Sequence, residues 1–177
     1  MYALQYIAAA LYLAAGVWGV LGLALPAAKI LRGARIALAI AAVVQTAAFA
    51  TLHRLDPAPS LTELSQAVSV VSWLVVVFTL ILSTRVRLLG FVPPVAFTAF
   101  LTVFGATLGA PELVIGEDAS GTIPHAHVLL ASAGLAAFGV AGLAGLFFLI
   151  EHRSLKSRRS QVRRVPLPSL EALDRVN

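Results

Sequence analysis

Apolar residues run along this chain in long unbroken stretches, and charged residues mark where each stretch stops. No charge precedes Lys29, so residues 4–25 form the first stretch. Residues 36–53 lie between Arg35 and Arg54, and residues 64–83 between Glu63 and Arg85. Residues 88–108 lie between Arg87 and Glu112, and residues 126–150 end at Glu151. A helix that crosses the hydrocarbon core needs about 20 apolar residues, within a range of about 17–25. Only helices and closed barrels satisfy the backbone in lipid, and runs of this length are helical. The pattern predicts an all-α polytopic transmembrane helix bundle of about five spans. Residues 1–151 form its transmembrane domain, and residues 152–177 a basic tail with the start of a further helix.

Local punctuation agrees with these boundaries. Pro26 follows the first span, and Asp56-Pro57-Ala58-Pro59 reads as a rigid turn after the second. Ser60-Leu61-Thr62-Glu63 fits a capping box that opens the third helix. Pro93-Pro94 falls inside the fourth span, where a kink is expected. Residues 110–124 read as an irregular loop. The first span lacks the basic region that begins a signal peptide, so it reads as retained.

Composition strengthens the membrane reading. Hydrophobic residues make up 59% of the 177 residues and charged residues 12%, against about 25% charged in a soluble domain. A chain this short has too little interior to hide so much apolar surface from water. With no cysteine there is no disulfide, thiol redox pair or thiolate metal site. Metal chemistry has to rest on histidine, carboxylates or Met1.

The net charge of +5 raises nucleic acid as a partner, and the placement of the charges argues against it. One set of connections holds Lys29, Arg32, Arg35, Arg85 and Arg87, together with the basic tail from Arg153 to Arg164. The other set holds Arg54 with Asp56, Glu63, Glu112, Glu117 and Asp118. The lysine and arginine bias puts the first set in the cytoplasm and the N-terminus outside. The tail then reads as a topology determinant touching anionic lipid, in the cell membrane, with no nucleic acid involved.

Small residues recur at helical spacing at Gly16, Gly19 and Gly22, and again at Gly139, Gly142 and Gly145, with Gly134 and Ala131 on a nearby face. Such stripes let helix backbones approach closely in lipid. They predict a compact bundle or an oligomer contact through glycine-rich faces.

Candidate chemistry rests on the histidines His53, His125, His127 and His152. His152 falls in the basic tail and reads as solvated or lipid-facing. His53 ends the second span and His127 begins the fifth on the same side, with His125 two residues earlier. Two imidazoles at one depth on two helices can hold one haem iron as axial ligands. The plain alternative is a pair of interfacial histidines with their polar tips among headgroups. Gln45, Phe49 and His53 share one face of the second helix. Glu63, Gln66, Ser69 and Trp73 share a face of the third. Together these faces predict an outward-opening cavity with Trp73 at its floor, suited to a flat aromatic ligand. Glu63 reads equally well as the capping-box carboxylate. No phosphate loop, HExxH or nucleophile elbow is present, and no catalytic constellation appears.

Several runs carry a family resemblance: His53-Arg54-Leu55, Pro59 to Ser65, Ser72-Trp73-Leu74, and Leu89-Gly90-Phe91-Val92-Pro93-Pro94. His127-Val128, Ala136-Ala137-Phe138, Gly145 to Glu151, Leu155-Lys156 and Leu167 to Arg175 follow in order. In that order and spacing the chain resembles the CcsA/HemX-like cytochrome c assembly family, from about His53 onward. The resemblance implies a polytopic protein that handles haem during cytochrome c maturation. It matches His127 to a family histidine at the start of a span on the outer side, and His53 to one in the HemX-like branch. His125 has no counterpart, and the Trp-rich haem-presenting segment of the CcsA branch is absent. Family members continue with further spans. Ser169 reads as an N-cap before the apolar stripe Leu170, Leu173 and Val176, so the chain is expected to be an N-terminal portion of a longer member.

The resulting expectation is a haem-binding membrane component and not a stand-alone enzyme. Other assembly subunits and apocytochrome c are its implied partners. Two rivals stand beside it. One is a permease-like subunit, which needs polar residues at mid-membrane depth; Gln45 and Thr46 are the second span's candidates. The other is a ligand-free scaffold or regulator of haem synthesis, whose basic tail is the contact surface.

Overall fold

The structure is a computed structural model that describes residues 3–25, 27–52, 54, 64–85, 89–108 and 122–156. His53, the turn 55–59, the capping box 60–63 and the tail beyond Lys156 lie outside the described residues. Every regular element among the described residues is helical. Helix α1 covers Ala3–Ala24, α2 Ala28–Leu52, α3 Leu64–Arg85, α4 Val92–Leu108 and α5 Thr122–Lys156. A single 3-10 turn, Leu89–Phe91, leads into α4. Helices α1, α2, α3 and α5 are long and apolar enough to cross a membrane. Helix α4, with 17 residues, is shorter; at about 1.5 Å per residue it is about 25 Å long.

The helix ends depart from the charge-bounded spans in a consistent way. Helix α2 begins at Ala28, so Lys29, Arg32 and Arg35 stand on its first two turns and not in a connection. Lysine and arginine are good helix formers, and their long stems carry the charge out to the headgroups. The same holds at the other end of the chain, where Glu151, His152 and Arg153 continue α5 to Lys156. Pro93 and Pro94 do not sit mid-helix as the expected kink requires. They occupy the first turn of α4, where a missing backbone N–H removes no helical bond.

Side-chain contacts fix how the helices run. Tyr12 of α1 meets Gln45 of α2, and Gly22 lies against Leu31, so the pair is antiparallel. Gly16 lies against Phe97 and Gly19 against Pro93, so α4 also runs against α1. Gln45 meets Ser69 and Arg35 meets Ser83, so α3 runs against α2. Helix α5 packs along α3, with Gly139 beside Val75. The up-and-down order gathers Arg54 and His127 at one end of the bundle. Lys29, Arg32, Arg35, Arg85 and Arg153 gather at the opposite, basic end.

The core lies between α1, α2 and α4, with α3 closing one side. It consists chiefly of alanine and valine, including Ala8, Ala15, Ala34, Ala41, Ala96 and Ala99. Lipid provides no water-exclusion force between helices, so close backbone approach and dispersion hold such a bundle. Glycine on α1 makes that approach possible. A Cβ at Gly19 would stand 2.8 Å from Pro93 Cγ, and one at Gly22 would stand 2.8 Å from Leu31 Cγ. A smaller cluster at the basic end stacks Phe91 on Phe147 with ring centroids 4.7 Å apart.

Candidate functional site

Buried polar side chains gather in the half of the bundle nearer His127. Gln45 is the hub. It stands two turns before the end of α2 and is 1% exposed. The Tyr12 hydroxyl donates to Gln45 Oε1 at 2.6 Å. Gln45 Nε2 donates to the Ser69 carbonyl and to Ser69 Oγ, each at 3.2 Å. One amide therefore ties α1, α2 and α3 together. In hydrocarbon no water is available to replace these partners, so each one is needed.

One turn on, Trp73 repeats the arrangement. Its indole N–H lies 3.2 Å from the Ala42 carbonyl and 3.1 Å from Thr46 Oγ1. Thr46 in turn donates to Ala42 O at 2.9 Å. The Phe49 ring meets Trp73 edge to face, with centroids 6.3 Å apart. The two faces read from the sequence, Gln45 with Phe49 and Gln66 with Ser69 and Trp73, do turn toward each other. Gln66 and Ser69 are buried. The polar groups of Gln45, Ser69 and Trp73 are engaged in holding helices together.

Two clefts open between helices. One, of about 240 Å³, lies between α3 and α5 against Phe78, Leu82, Ala137 and Val140. The other, of about 530 Å³, lies between α3 and α4 against Ser65, Val68, Leu101 and Gly105. Trp73 lines neither of them. Among the described residues three buried polar atoms, Gln5 Oε1, Ser72 Oγ and Glu151 Oε2, have no hydrogen-bond partner.

The histidines sit at the rim and not in this polar cluster. His127 stands in the second turn of α5 and is exposed. Ser132, Ala136 and Val140 form the buried face of α5 against α3. His127 precedes Ala136 by nine residues, about half a turn away at 3.6 residues per turn. It therefore faces away from α3. Its level is set by Gly139 beside Val75, which puts it beside the start of α3. The pairing of Gln45 with Ser69 brings the end of α2 to that same level. His125 lies on α5 two residues earlier, and the partner proposed for His127, His53, lies outside the described residues. At the basic end His152 is exposed and stacks on Phe148 with centroids 6.0 Å apart. Among the described residues no group of three or more His, Asp or Glu side chains is placed to hold a metal ion.

No protein-family model matches this chain, and neither a curated protein nor a solved structure does. His127 offers one accessible imidazole at the end of a membrane helix. For haem the described residues fit in part: one axial donor is open, and the polar groups of Gln45 and Trp73 are already bonded. Tyr12 joins the site from α1, a helix with no polar face in the sequence pattern. The signal was present, since a phenol in the middle of an apolar run needs a hydrogen-bond partner when buried.

Proposed function

We propose that this protein is a membrane haem-handling component of cytochrome c assembly, holding haem near the outer face through His53 and His127. The observation that supports the reading is one of level alone: the α2 end and the exposed His127 stand at one height, although His127 faces away from α3. The resemblance of the chain to the CcsA/HemX-like family adds to it. In this reading the basic end faces the cytoplasm, following the lysine and arginine bias. The imidazoles of His53 and His127 would hold the group, and a bound haem would supply its iron centre. The chain's own task is to position that group at the rim of the bundle. Without cysteine the protein cannot manage apocytochrome thiols, so a partner subunit supplies that chemistry.

The visible spectrum of protein purified from haem-replete cells tests this. A low-spin Soret band that is lost in His127→Ala and in His53→Ala supports the reading. A colourless, folded protein removes it.

One observation favours a second reading, a ligand-free scaffold. Gln45, Ser69, Thr46 and Trp73 are engaged in bonds between α2 and α3, and Trp73 lines neither of the two clefts described above. The same bonds count against a permease, because they occupy Gln45 and Thr46. A colourless wild-type protein that still captures haem-synthesis enzymes through its basic tail supports the scaffold.

A further inference from the structure

The basic end contains a cation with an unusual setting. Arg35 lies seven residues beyond Ala28, about 10 Å along α2 from its first residue at about 1.5 Å per residue. It is only partly exposed, whereas Lys29, Arg32, Arg85 and Arg153 are exposed. One Nη1 N–H reaches the Ser83 carbonyl at 3.3 Å, in the last turn of α3. That bond is long and involves a neutral acceptor. A guanidinium has five N–H donors in a planar fork, so most of its capacity faces elsewhere. The acidic side chain among the described residues is Glu151, on α5, whose described packing is against α3. Glu151 Oε2 is buried without a hydrogen-bond partner, so that oxygen does not pair with Arg35. A half-buried charge at the edge of hydrocarbon is costly unless it is paired.

Arg32 stands one turn nearer the end of α2, on the adjoining part of its surface. Two guanidiniums one turn apart, at headgroup depth, complement one kind of anion: the phosphodiester of a phospholipid. The fork geometry suits phosphate oxygens, and the surrounding apolar surface suits the acyl chains.

We infer that Arg35 and Arg32 form a binding site for an anionic phospholipid of the leaflet at the basic end. The lipid phosphate takes the donors that Ser83 leaves open. Through Arg35 it links α2 to the last turn of α3, where α2 and α3 otherwise share little packing. The proposal is independent of haem.

Thermal unfolding of the full chain in neutral detergent tests it. Phosphatidylglycerol, phosphatidylcholine or inorganic phosphate is titrated in. Phosphatidylglycerol is expected to stabilise the protein with an apparent affinity about tenfold above that of phosphatidylcholine, in keeping with the attraction of basic clusters to anionic lipid. Arg35→Gln should bring that preference close to one, and the exposed Arg32→Gln should reduce it in part. Arg153→Gln, which removes the same charge from α5 at the same end, should leave it unchanged. Should Arg35→Gln fail to fold, Arg32→Gln against Arg153→Gln still decides. Three results overturn the site: equal stabilisation by phosphatidylcholine, stabilisation by inorganic phosphate alone, or equal losses in Arg32→Gln and Arg153→Gln.

Discussion

Helices α1 and α5 carry glycines at the same spacing and use them in opposite ways. On α1, Gly16, Gly19 and Gly22 are buried, and the side chains of Phe97, Pro93 and Leu31 fill the space a Cβ would need. On α5, nothing stands within 4 Å of a Cβ built at Gly134, Gly142 or Gly145, and Gly139 meets only Val75, at 3.7 Å. Burial follows suit: 39% of the α1 span is buried, against 17% of the α5 span. Spacing makes a groove on each helix. Whether the groove is filled depends on what the rest of the chain brings to it, and only α1 has a helix on either side.

The sharpest way to break this comparison is a matched pair of substitutions. Gly19→Val places a branched side chain against the Pro93 ring, which cannot move without moving α4. It should cost about 3 kcal/mol of unfolding free energy in mixed micelles, at the upper end of over-packing effects. Gly142→Val, on the open face of α5, should change stability by less than about 1 kcal/mol. Equal losses would mean that α5 is as closely packed as α1.

Next in size is the polar hub, which shares α1 with the filled groove. Gln45→Leu removes the acceptor of the Tyr12 hydroxyl and leaves that group buried without a partner. A loss of about 2 kcal/mol is expected in the same unfolding assay. The double variant Tyr12→Phe/Gln45→Leu should recover about half of it, since the Tyr12 orphan is gone while the buried Ser69 hydroxyl still lacks the Gln45 donor. Trp73→Phe deletes the contacts to Ala42 and Thr46 but keeps a ring against Phe49. It should cost about 1 kcal/mol, as interhelical hydrogen bonds in membranes are modest. The smallest change is the most informative about α5. Gly134→Ala should raise stability by about 0.5–1 kcal/mol, the helix-propensity gain with no steric loss. A decrease in its place would reveal a neighbour on that face.

The architecture was legible in the sequence because lipid imposes a simple rule: long apolar runs become helices. The helix ends were less legible. Charge marks the interface and not the helix end: Lys29, Arg32 and Arg35 are helical, because their stems can reach the interface from within a helix. Pro93-Pro94 marked the right place but the wrong event, a helix start and not a kink. The polar faces of α2 and α3 could be read from periodicity, since 3.6-residue spacing is local information. Tyr12 could not be joined to them this way. Its partner is 33 residues distant, and only the folded pairing of α1 with α2 reveals it. The same limit applies to Arg35 and Ser83, which are 48 residues apart.

The filling of the α1 groove by Pro93 and Phe97 has a bearing on biogenesis. Helix α1 is made before the other four helices, and the residues that complete its packing are made after α2 and α3. Until then the hairpin of α1 and α2 sits in the bilayer with its glycine face open to lipid. Insertion and final packing are therefore separate events for this helix, and α4 is the piece that ends the wait. Helix α5, docked along α3 and touching the turn before α4 through Phe147 on Phe91, can join afterwards without entering the groove that α4 has closed.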